Sequence, residues 1–141
     1  MTEILLAEDN PADIYLIREA LKHNAVDASL RVATDGKDVL EHIRAEGATA
    51  PTLIILDLNL PRHDGIEVLE VVRATPGLSE IPVVVLTSSD SPRDRLNALH
   101  LGATRYIRKP SNLNDFLNLG AVFKELLEKS GGASEATSSG K

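Results

Sequence analysis

The sequence contains no cysteine. Without cysteine the chain can form neither disulfides nor thiolate metal sites, which excludes disulfide-stapled scaffolds and domains folded around a Cys-ligated zinc ion. A chain that needs no disulfides suits a reducing compartment, so we expect a cytoplasmic protein.

Aromatic residues make up only 3% of the chain, and 21 acidic residues outnumber 15 basic ones, for a net charge of -6. Binding to nucleic acid depends on positive charge and on rings that stack against bases, so we expect none. The sequence also lacks an apolar run of the ~20 residues that span a bilayer and a basic leader at its start, which predicts no membrane association. The sequence also lacks a glycine-rich nucleotide-binding loop, so we do not expect an enzyme that acts on nucleotides.

What the sequence does contain is a regular alternation of short apolar runs with amphipathic patterns of helical period. The apolar runs predict strands at 3–8, 28–34, 52–57, 82–87 and 104–108. The amphipathic patterns predict helices at 11–23, 36–46, 64–74, 92–101 and 112–128. This alternation is typical of βαβ units in an α/β fold with a parallel sheet. We expect one domain over residues 1–129 and a disordered, Ser- and Gly-rich tail over 130–141.

The composition of the runs indicates their order in the sheet. The first, third and fourth runs are apolar at nearly every position, as in strands covered by helices on both faces. The second and fifth runs, around Leu30 and Tyr106, alternate polar and apolar residues, as edge strands do. These features fit the doubly wound, flavodoxin-like order 2-1-3-4-5, whose ligand-binding switch point lies between strands 1 and 3.

Polar residues follow four of the runs, where parallel strands meet at one edge of the sheet. Glu8 and Asp9 follow the first run, Asp57 ends the third, Thr87 ends the fourth and Lys109 follows the fifth. The two acidic segments belong to the strands that flank the predicted switch point. We therefore expect all five side chains in one crevice.

Carboxylates in such a crevice are suited to Mg²⁺, which prefers oxygen ligands and keeps several waters. We expect Asp9 and Asp57 to bind the ion directly and Glu8 to bind it through water. The backbone carbonyl of Asn59, two residues after Asp57, would complete the protein ligands.

The same group of residues is suited to phosphoryl transfer. An ionised carboxylate attacks phosphorus without a neighbouring base, which makes Asp57 the candidate phosphoacceptor. Mg²⁺ and the Lys109 ammonium would neutralise the phosphoryl oxygens, and the Thr87 hydroxyl would donate a hydrogen bond.

Each of these residues has a simpler explanation when it is considered alone. A single Asp at a strand end is more often a turn or cap residue, and a lone Lys or Thr there is usually solvated. The hypothesis depends on the combination at equivalent strand ends. The histidines, by contrast, show no ligand spacing and are expected to be ordinary surface residues: His23, His42, His63 and His100.

The chain resembles the bacterial response-regulator receiver domains over about residues 3–128. The segments that carry this resemblance are Leu5-Leu6-Ala7-Glu8-Asp9-Asn10, Leu56-Asp57-Leu58-Asn59-Leu60-Pro61, Asp64-Gly65, Val85-Leu86-Thr87-Ser88 and Tyr106-Ile107-Arg108-Lys109-Pro110. It departs from many receivers at Glu8, where they carry Asp. A finer likeness, in Glu8-Asp9-Asn10-Pro11-Ala12-Asp13 and in residues 77–88, is to the stand-alone receivers that serve bacterial phytochrome kinases.

The resemblance implies Mg²⁺-dependent transfer of a phosphoryl group from a phosphohistidine on a sensor histidine kinase to Asp57. It also implies that Thr87 and Tyr106 form a switch pair and that Lys109, with Thr87 and Ser88, contacts the phosphoryl group. The chain would then be a signalling protein that assists its own phosphorylation and dephosphorylation, without being an enzyme acting on other substrates.

Two surfaces are expected to bind partners. Ile14, Tyr15 and Ser111 flank the predicted crevice and are candidates for contact with the kinase, although Ile14 also suits the core. On a helical wheel of 112–128 the apolar arc spans roughly 220°, wider than a surface helix needs. The residues expected at a homodimer interface through the fourth and fifth helices are Ala98, Leu101, Leu119, Val122, Phe123 and Leu126.

Two other functions are compatible with parts of the sequence. A phosphohydrolase with an aspartyl nucleophile usually carries a second Asp two residues later, where this chain has Asn59. A module that only binds partners, without phosphorylation, would be expected to lack the acidic cluster or the lysine, and both are present. A phosphorylated switch is therefore the leading hypothesis.

Overall fold

The computed structural model describes residues 2–44, 50–61 and 64–138, with side chains described as far as residue 129. The last two residues of the predicted second helix, at 45–46, and His63 lie outside the described residues.

Five strands and five helices alternate through the described part of the chain. The strands are β1 (Glu3–Ala7), β2 (Ser29–Ala33), β3 (Leu53–Leu56), β4 (Val83–Thr87) and β5 (Arg105–Arg108). The helices are α1 (Pro11–His23), α2 (Gly36–Arg44), α3 (Gly65–Ala74), α4 (Pro92–His100) and α5 (Leu113–Ser138). Each element matches a predicted one to within a few residues, apart from the far end of α5.

The strands form one parallel sheet in the order β2-β1-β3-β4-β5, which confirms the predicted topology. Strands β3 and β4 are buried at every position, as is β1 after Glu3, because helices cover both faces of the sheet. The edge strands β2 and β5 retain exposed positions. The chain crosses from β1 to β2 on one side and from β3 to β4 on the other side. A crevice therefore opens beyond the carboxyl ends of the neighbouring strands β1 and β3.

Two apolar cores lie on the two faces of the sheet. Alternate strand residues such as Leu5, Ile54 and Val85 pack with α2, α3 and α4. Their neighbours in sequence, such as Leu6 and Ile55, point to the other face and pack with α1 and α5. The period of two along each strand thus divides one apolar run between two helical layers.

The expected exposed stripe on α5 is wrong, because its residues are buried within the single chain. Leu119, Phe123 and Leu126 belong to the core beneath α5, and Phe123 is 0% exposed. The apolar arc is wide because α5 packs against both the sheet and α1, so it needs no second chain. Ala98 of α4 is also buried, which leaves only the half-buried Leu101 and Val122 of the predicted interface.

Helix α5 continues through Ser138, where the sequence predicts a disordered tail. No proline follows Pro110 in the sequence, so nothing sterically ends the helix at residue 129. The boundary between the domain and a tail at 129 stays a prediction.

Gly120 allows α5 to lie close to α1. A Cβ atom at this position would collide with the carbonyl oxygen of Ala20 and the side-chain amide of Asn24. That amide joins the two helices, since it donates to the carbonyl oxygens of Ala20 and Leu117 at 2.9 Å each.

We predict that Gly120→Ala destabilises the protein by about 1–3 kcal/mol, because the added methyl group meets backbone atoms of α1. Without this collision the substitution would stabilise the protein by up to about 1 kcal/mol through helix propensity. Denaturant unfolding would measure the sign. Ala121→Gly, on the exposed side of the same helix, reports propensity alone and should cost about 1 kcal/mol. A stabilised Gly120→Ala variant would contradict the packing described here.

Candidate functional site

The carboxyl ends of the strands bring the predicted polar residues together. Backbone hydrogen bonds continue the sheet past the strand ends: Glu8 N donates to Ala33 O at 3.0 Å and Asp57 N to Ala7 O at 3.0 Å. On the other side Lys109 N donates to Thr87 O at 2.7 Å. Glu8, Asp57 and Thr87 are buried, at 1%, 5% and 0% exposure.

The Lys109 ammonium contacts three carboxylates. Its Nζ lies 2.9 Å from Glu8 Oε1, 3.0 Å from Asp57 Oδ2 and 2.7 Å from Asp13 Oδ2. An ammonium has three N–H donors, and these three acceptors match them in number. The sequence predicted that Lys109, Glu8 and Asp57 lie in one crevice, but it did not predict these contacts or the presence of Asp13.

Burial and mutual contact change the acidity of these groups. Burial, opposed by the hydrogen bond from Lys109 and assisted by the charge of Asp57, raises the pKa of Glu8 to about 7. Burial alone would lower the pKa of Lys109, but its hydrogen bonds to Asp13, Glu8 and Asp57 outweigh this effect and hold the pKa above its ordinary range. The ammonium is therefore a permanent positive charge in the site.

The β1–α1 turn is fixed by Asn10. Its backbone N–H donates to Glu8 Oε2 at 3.1 Å, and its side-chain oxygen accepts from Ala12 N at 2.9 Å and Asp13 N at 3.3 Å. Asn10 is thus the N-cap of α1, with Pro11 in the first turn. One residue orients the Glu8 carboxylate and starts the helix that carries Asp13.

The β3–α3 turn fixes Asp57 in a similar way. Asn59 N donates to Asp57 Oδ1 at 3.0 Å, and Asn59 Nδ2 lies 3.4 Å from the Thr87 hydroxyl. Gly65 packs on this turn, where an added Cβ would lie 2.7 Å from Asp57 O and 2.5 Å from Leu58 Cα. The Asp64-Gly65 pair therefore combines the N-cap of α3 with a residue small enough to approach the backbone.

Thr87 and Tyr106 are linked through Ser89. The Thr87 hydroxyl oxygen accepts from Ser89 N at 3.3 Å, and the Tyr106 hydroxyl donates to Ser89 O at 3.2 Å. The Ser89 hydroxyl donates to Asp94 Oδ2 at 2.6 Å, near the N-terminus of α4. The Tyr106 ring is half-buried and packs on the core, with the Arg95 guanidinium 5.7 Å from its centre.

The acidic residues can hold a divalent cation. One oxygen each from Glu8, Asp9 and Asp57 lies within 4.8 Å of the others, with Asp9 exposed and the other two buried. Carboxylate oxygens are the ligands that Mg²⁺ prefers, and the exposed side leaves space for water. Together with Asp13 the site has four carboxyl groups and one ammonium, and a divalent cation would offset the remaining negative charge. The residues present therefore fit Mg²⁺, while the Asn59 carbonyl stays a predicted ligand.

The remaining predicted site residues lie at the rim. Tyr15 is 61% exposed on α1, whereas Ile14 is partly buried against the core. Ser88 and Ser111 are exposed in the loops after Thr87 and Lys109. Their contacts with phosphate or with a kinase stay predictions.

Sequence reasoning missed Asp13 and Ser89 as members of the site. Asp13 lies in the first turn of α1, where an acidic residue is common because it interacts favourably with the helix dipole. The available signal was the position of Asp13, five residues after Glu8. The first turn of α1 carries a residue at this position back towards the end of β1. Ser89 contacts Thr87 and Tyr106 through its backbone N–H and carbonyl groups, which every residue type except proline has, so no sequence pattern could indicate it.

Comparisons with known proteins agree with this geometry. The family model "Response regulator receiver domain" matches residues 4–119. Response regulator Rcp1 of Synechocystis sp. is 39% identical over 120 residues, which cover 82% of each chain.

Solved structures of two such regulators are also similar. The phosphorylated cyanobacterial phytochrome response regulator RcpA is 39% identical, with a TM-score of 0.80 over 91% of this chain and 92% of that one. The Mn²⁺-bound form of Rcp1 is 36% identical, with a TM-score of 0.80 over 92% and 93%.

Among the described helices, none has both the length and the apolar character that crossing a membrane requires.

Together the fold, the acidic site and the matches to known proteins identify the family. The chain belongs to the response regulator receiver domains, the signalling proteins of two-component systems.

Proposed function

We propose that the chain is a phosphoacceptor switch that receives a phosphoryl group on Asp57 from a sensor histidine kinase in a Mg²⁺-dependent transfer. The observation that carries this proposal is the environment of Asp57. Its carboxylate is buried, lies 3.0 Å from the Lys109 ammonium and shares an edge of the sheet with Glu8 and Asp9.

In the transfer, an Asp57 carboxylate oxygen attacks phosphorus as the bond from phosphorus to the donor histidine nitrogen breaks. The electron pair of that bond stays on the histidine nitrogen. Lys109 donates a hydrogen bond to a phosphoryl oxygen, and the Thr87 hydroxyl donates another. Mg²⁺ held by Asp9, Asp57 and, through water, Glu8 would neutralise charge on the phosphoryl oxygens.

Phosphorylation would change the protein surface through Thr87. A phosphoryl oxygen that binds the Thr87 hydroxyl competes with the contacts from Ser89 N and Asn59 Nδ2. Because Ser89 also accepts from Tyr106 and donates to Asp94, movement of this loop shifts both the Tyr106 ring and the start of α4.

The resemblance to phytochrome response regulators supports a kinase of the bacterial phytochrome type, and hence a cytoplasmic protein. The kinase would approach over α1 and the loop after Lys109, where Tyr15 and Ser111 are exposed. The negative net charge and the low aromatic content argue against a direct nucleic-acid partner.

We predict that Asp57→Asn abolishes phosphorylation by a kinase or by acetyl phosphate, measured as labelling of the protein with phosphate. The amide keeps the shape of the side chain but loses the nucleophile. Labelling of the wild type should require Mg²⁺ and disappear on chelation. Asp27 is an exposed acid that precedes β2, at the amino ends of the strands and away from the site. The variant Asp27→Asn serves as the control and should be phosphorylated normally. Undiminished labelling of Asp57→Asn would refute the assignment of the phosphoacceptor. Repeated hydrolysis of phosphomonoesters would instead favour a phosphohydrolase.

We predict that Tyr15→Ala slows transfer from the kinase by about 10-fold, as expected for loss of one large interface side chain. The rate with acetyl phosphate should stay unchanged, because Tyr15 projects from α1 into solvent. His23→Ala, which removes an exposed ring from the far end of the same helix, is the control. Equal slowing with both donors would count against a docking role for Tyr15.

We also propose that the chain forms a symmetric homodimer through α4 and α5. With the core residues of α5 excluded, the support comes from α4, where Leu96 is 67% and Leu99 is 39% exposed. Two large apolar side chains exposed on one helix favour burial against a second copy.

Sedimentation tests this proposal. The wild type should shift from monomer to dimer with rising concentration, and Leu96→Glu should remain monomeric because it places a charge in the interface. Tyr15→Glu changes a similarly exposed side chain on α1, outside α4 and α5, and should still dimerise. A wild type that is monomeric at high concentration, with and without phosphorylation, would overturn it.

A further inference from the structure

Asp13 makes the shortest of the three contacts to the Lys109 ammonium, at 2.7 Å. Both side chains are largely shielded from solvent, with 18% of Asp13 and 13% of Lys109 exposed. The transfer step described above uses Lys109, Glu8 and Asp57 but gives Asp13 no role. A charge-assisted hydrogen bond in such a setting is strong enough to orient a flexible side chain.

Lysine is a poor positioning group by itself, because its ammonium ends a flexible stem with many rotamers. Here the Nζ atom is fixed by two carboxylates of the β1–α1 segment, Glu8 and Asp13. Asn10 holds that segment rigid, since it binds Glu8 through its backbone N–H and Asp13 N through its side chain. The third N–H of the ammonium then points at Asp57.

Glu8 and Asp13, the two carboxylates that hold the ammonium, differ in what else they can bind. Glu8 belongs to the group of carboxylates whose oxygens converge on a possible cation site, and Asp13 lies outside that group. When a cation draws on Glu8 and a phosphoryl group modifies Asp57, Asp13 is the acceptor that still holds the ammonium in place. A rigid donor aimed at the site of developing charge is what accelerates transfer.

We propose that Asp13 is a positioning residue for phosphoryl transfer, which holds the Lys109 ammonium so that one N–H faces the phosphoryl oxygens on Asp57. This inference rests on the proposed function. It differs from a competing role, in which Asp13 would withdraw Lys109 from the phosphoryl group and slow the transfer. It also differs from a purely structural role in tying α1 to β5.

The test compares labelling rates with acetyl phosphate and Mg²⁺ for the wild type, Asp13→Ala, Lys109→Ala and the double variant. Asp13→Ala should be slower by about 10- to 100-fold, since displacing a catalytic group by about 1 Å can slow a reaction by up to that factor. The effect should vanish in the Lys109→Ala background, because Asp13 acts only through that ammonium. Asp13→Asn, which keeps the shape of the side chain, should also slow labelling. Glu19→Gln removes a charge from the same helix away from the site and should label at the wild-type rate.

Two outcomes overturn the inference while the proposed function stands. Faster labelling of Asp13→Ala means competition, and equal slowing in both backgrounds means a structural role. If the wild type takes no label on Asp57, the proposed function itself fails.

A readout independent of phosphorylation is the NMR signal of the Lys109 ammonium. It should exchange slowly with water in the wild type and in Glu19→Gln, and rapidly in Asp13→Ala, which removes the acceptor. A signal that persists in Asp13→Ala would show that Asp13 does not hold the ammonium.

Discussion

The contact of one ammonium with three carboxylates is the interaction on which the functional end of this protein depends. Glu8 and Asp57 are almost wholly buried, and buried charges are tolerated only when they are paired. Lys109 supplies that pairing and connects three parts of the chain: the β1–α1 turn, the end of β3 and the segment after β5. Removing one member of a buried ion pair typically costs about 3–5 kcal/mol, because the remaining charge is left uncompensated. The same contact places a cation where charge develops in phosphoryl transfer.

Much of this arrangement could be predicted from the sequence, because a parallel sheet has few ways to place its strand ends. The apolar runs before Asp57 and Thr87 identified β3 and β4, and the polar residues after them fell at one edge. The edge strands were recognisable because β2 and β5 alternate polar and apolar residues. These features fitted the known doubly wound order 2-1-3-4-5 without fixing the order of the interior strands, and the structure has this order, with Glu8 near Asp57.

The rest could not be predicted, because it depends on how elements pack. The contact between Asp13 and Lys109 requires the angle at which α1 leaves β1, and Asn10 sets that angle through two side-chain hydrogen bonds. The interpretation of α5 failed for a related reason. A wide apolar arc indicates burial on more than one side without showing what covers each side, and here α1 covers the second side through Gly120. Likewise, the link from Thr87 to Tyr106 runs through the backbone of Ser89, which no side-chain pattern reveals.

The most direct test of this account is a crystal structure of the protein with Mg²⁺ and beryllium trifluoride, which mimics a phosphoryl group on a carboxylate. The account predicts the beryllium on Asp57, the cation bound to Asp9 and Asp57, and Lys109 Nζ within about 3 Å of a fluorine atom while it keeps its contact with Asp13. The Thr87 hydroxyl should face another fluorine atom. A structure in which Lys109 turns away from the mimic, or in which the cation lies apart from these carboxylates, would contradict it.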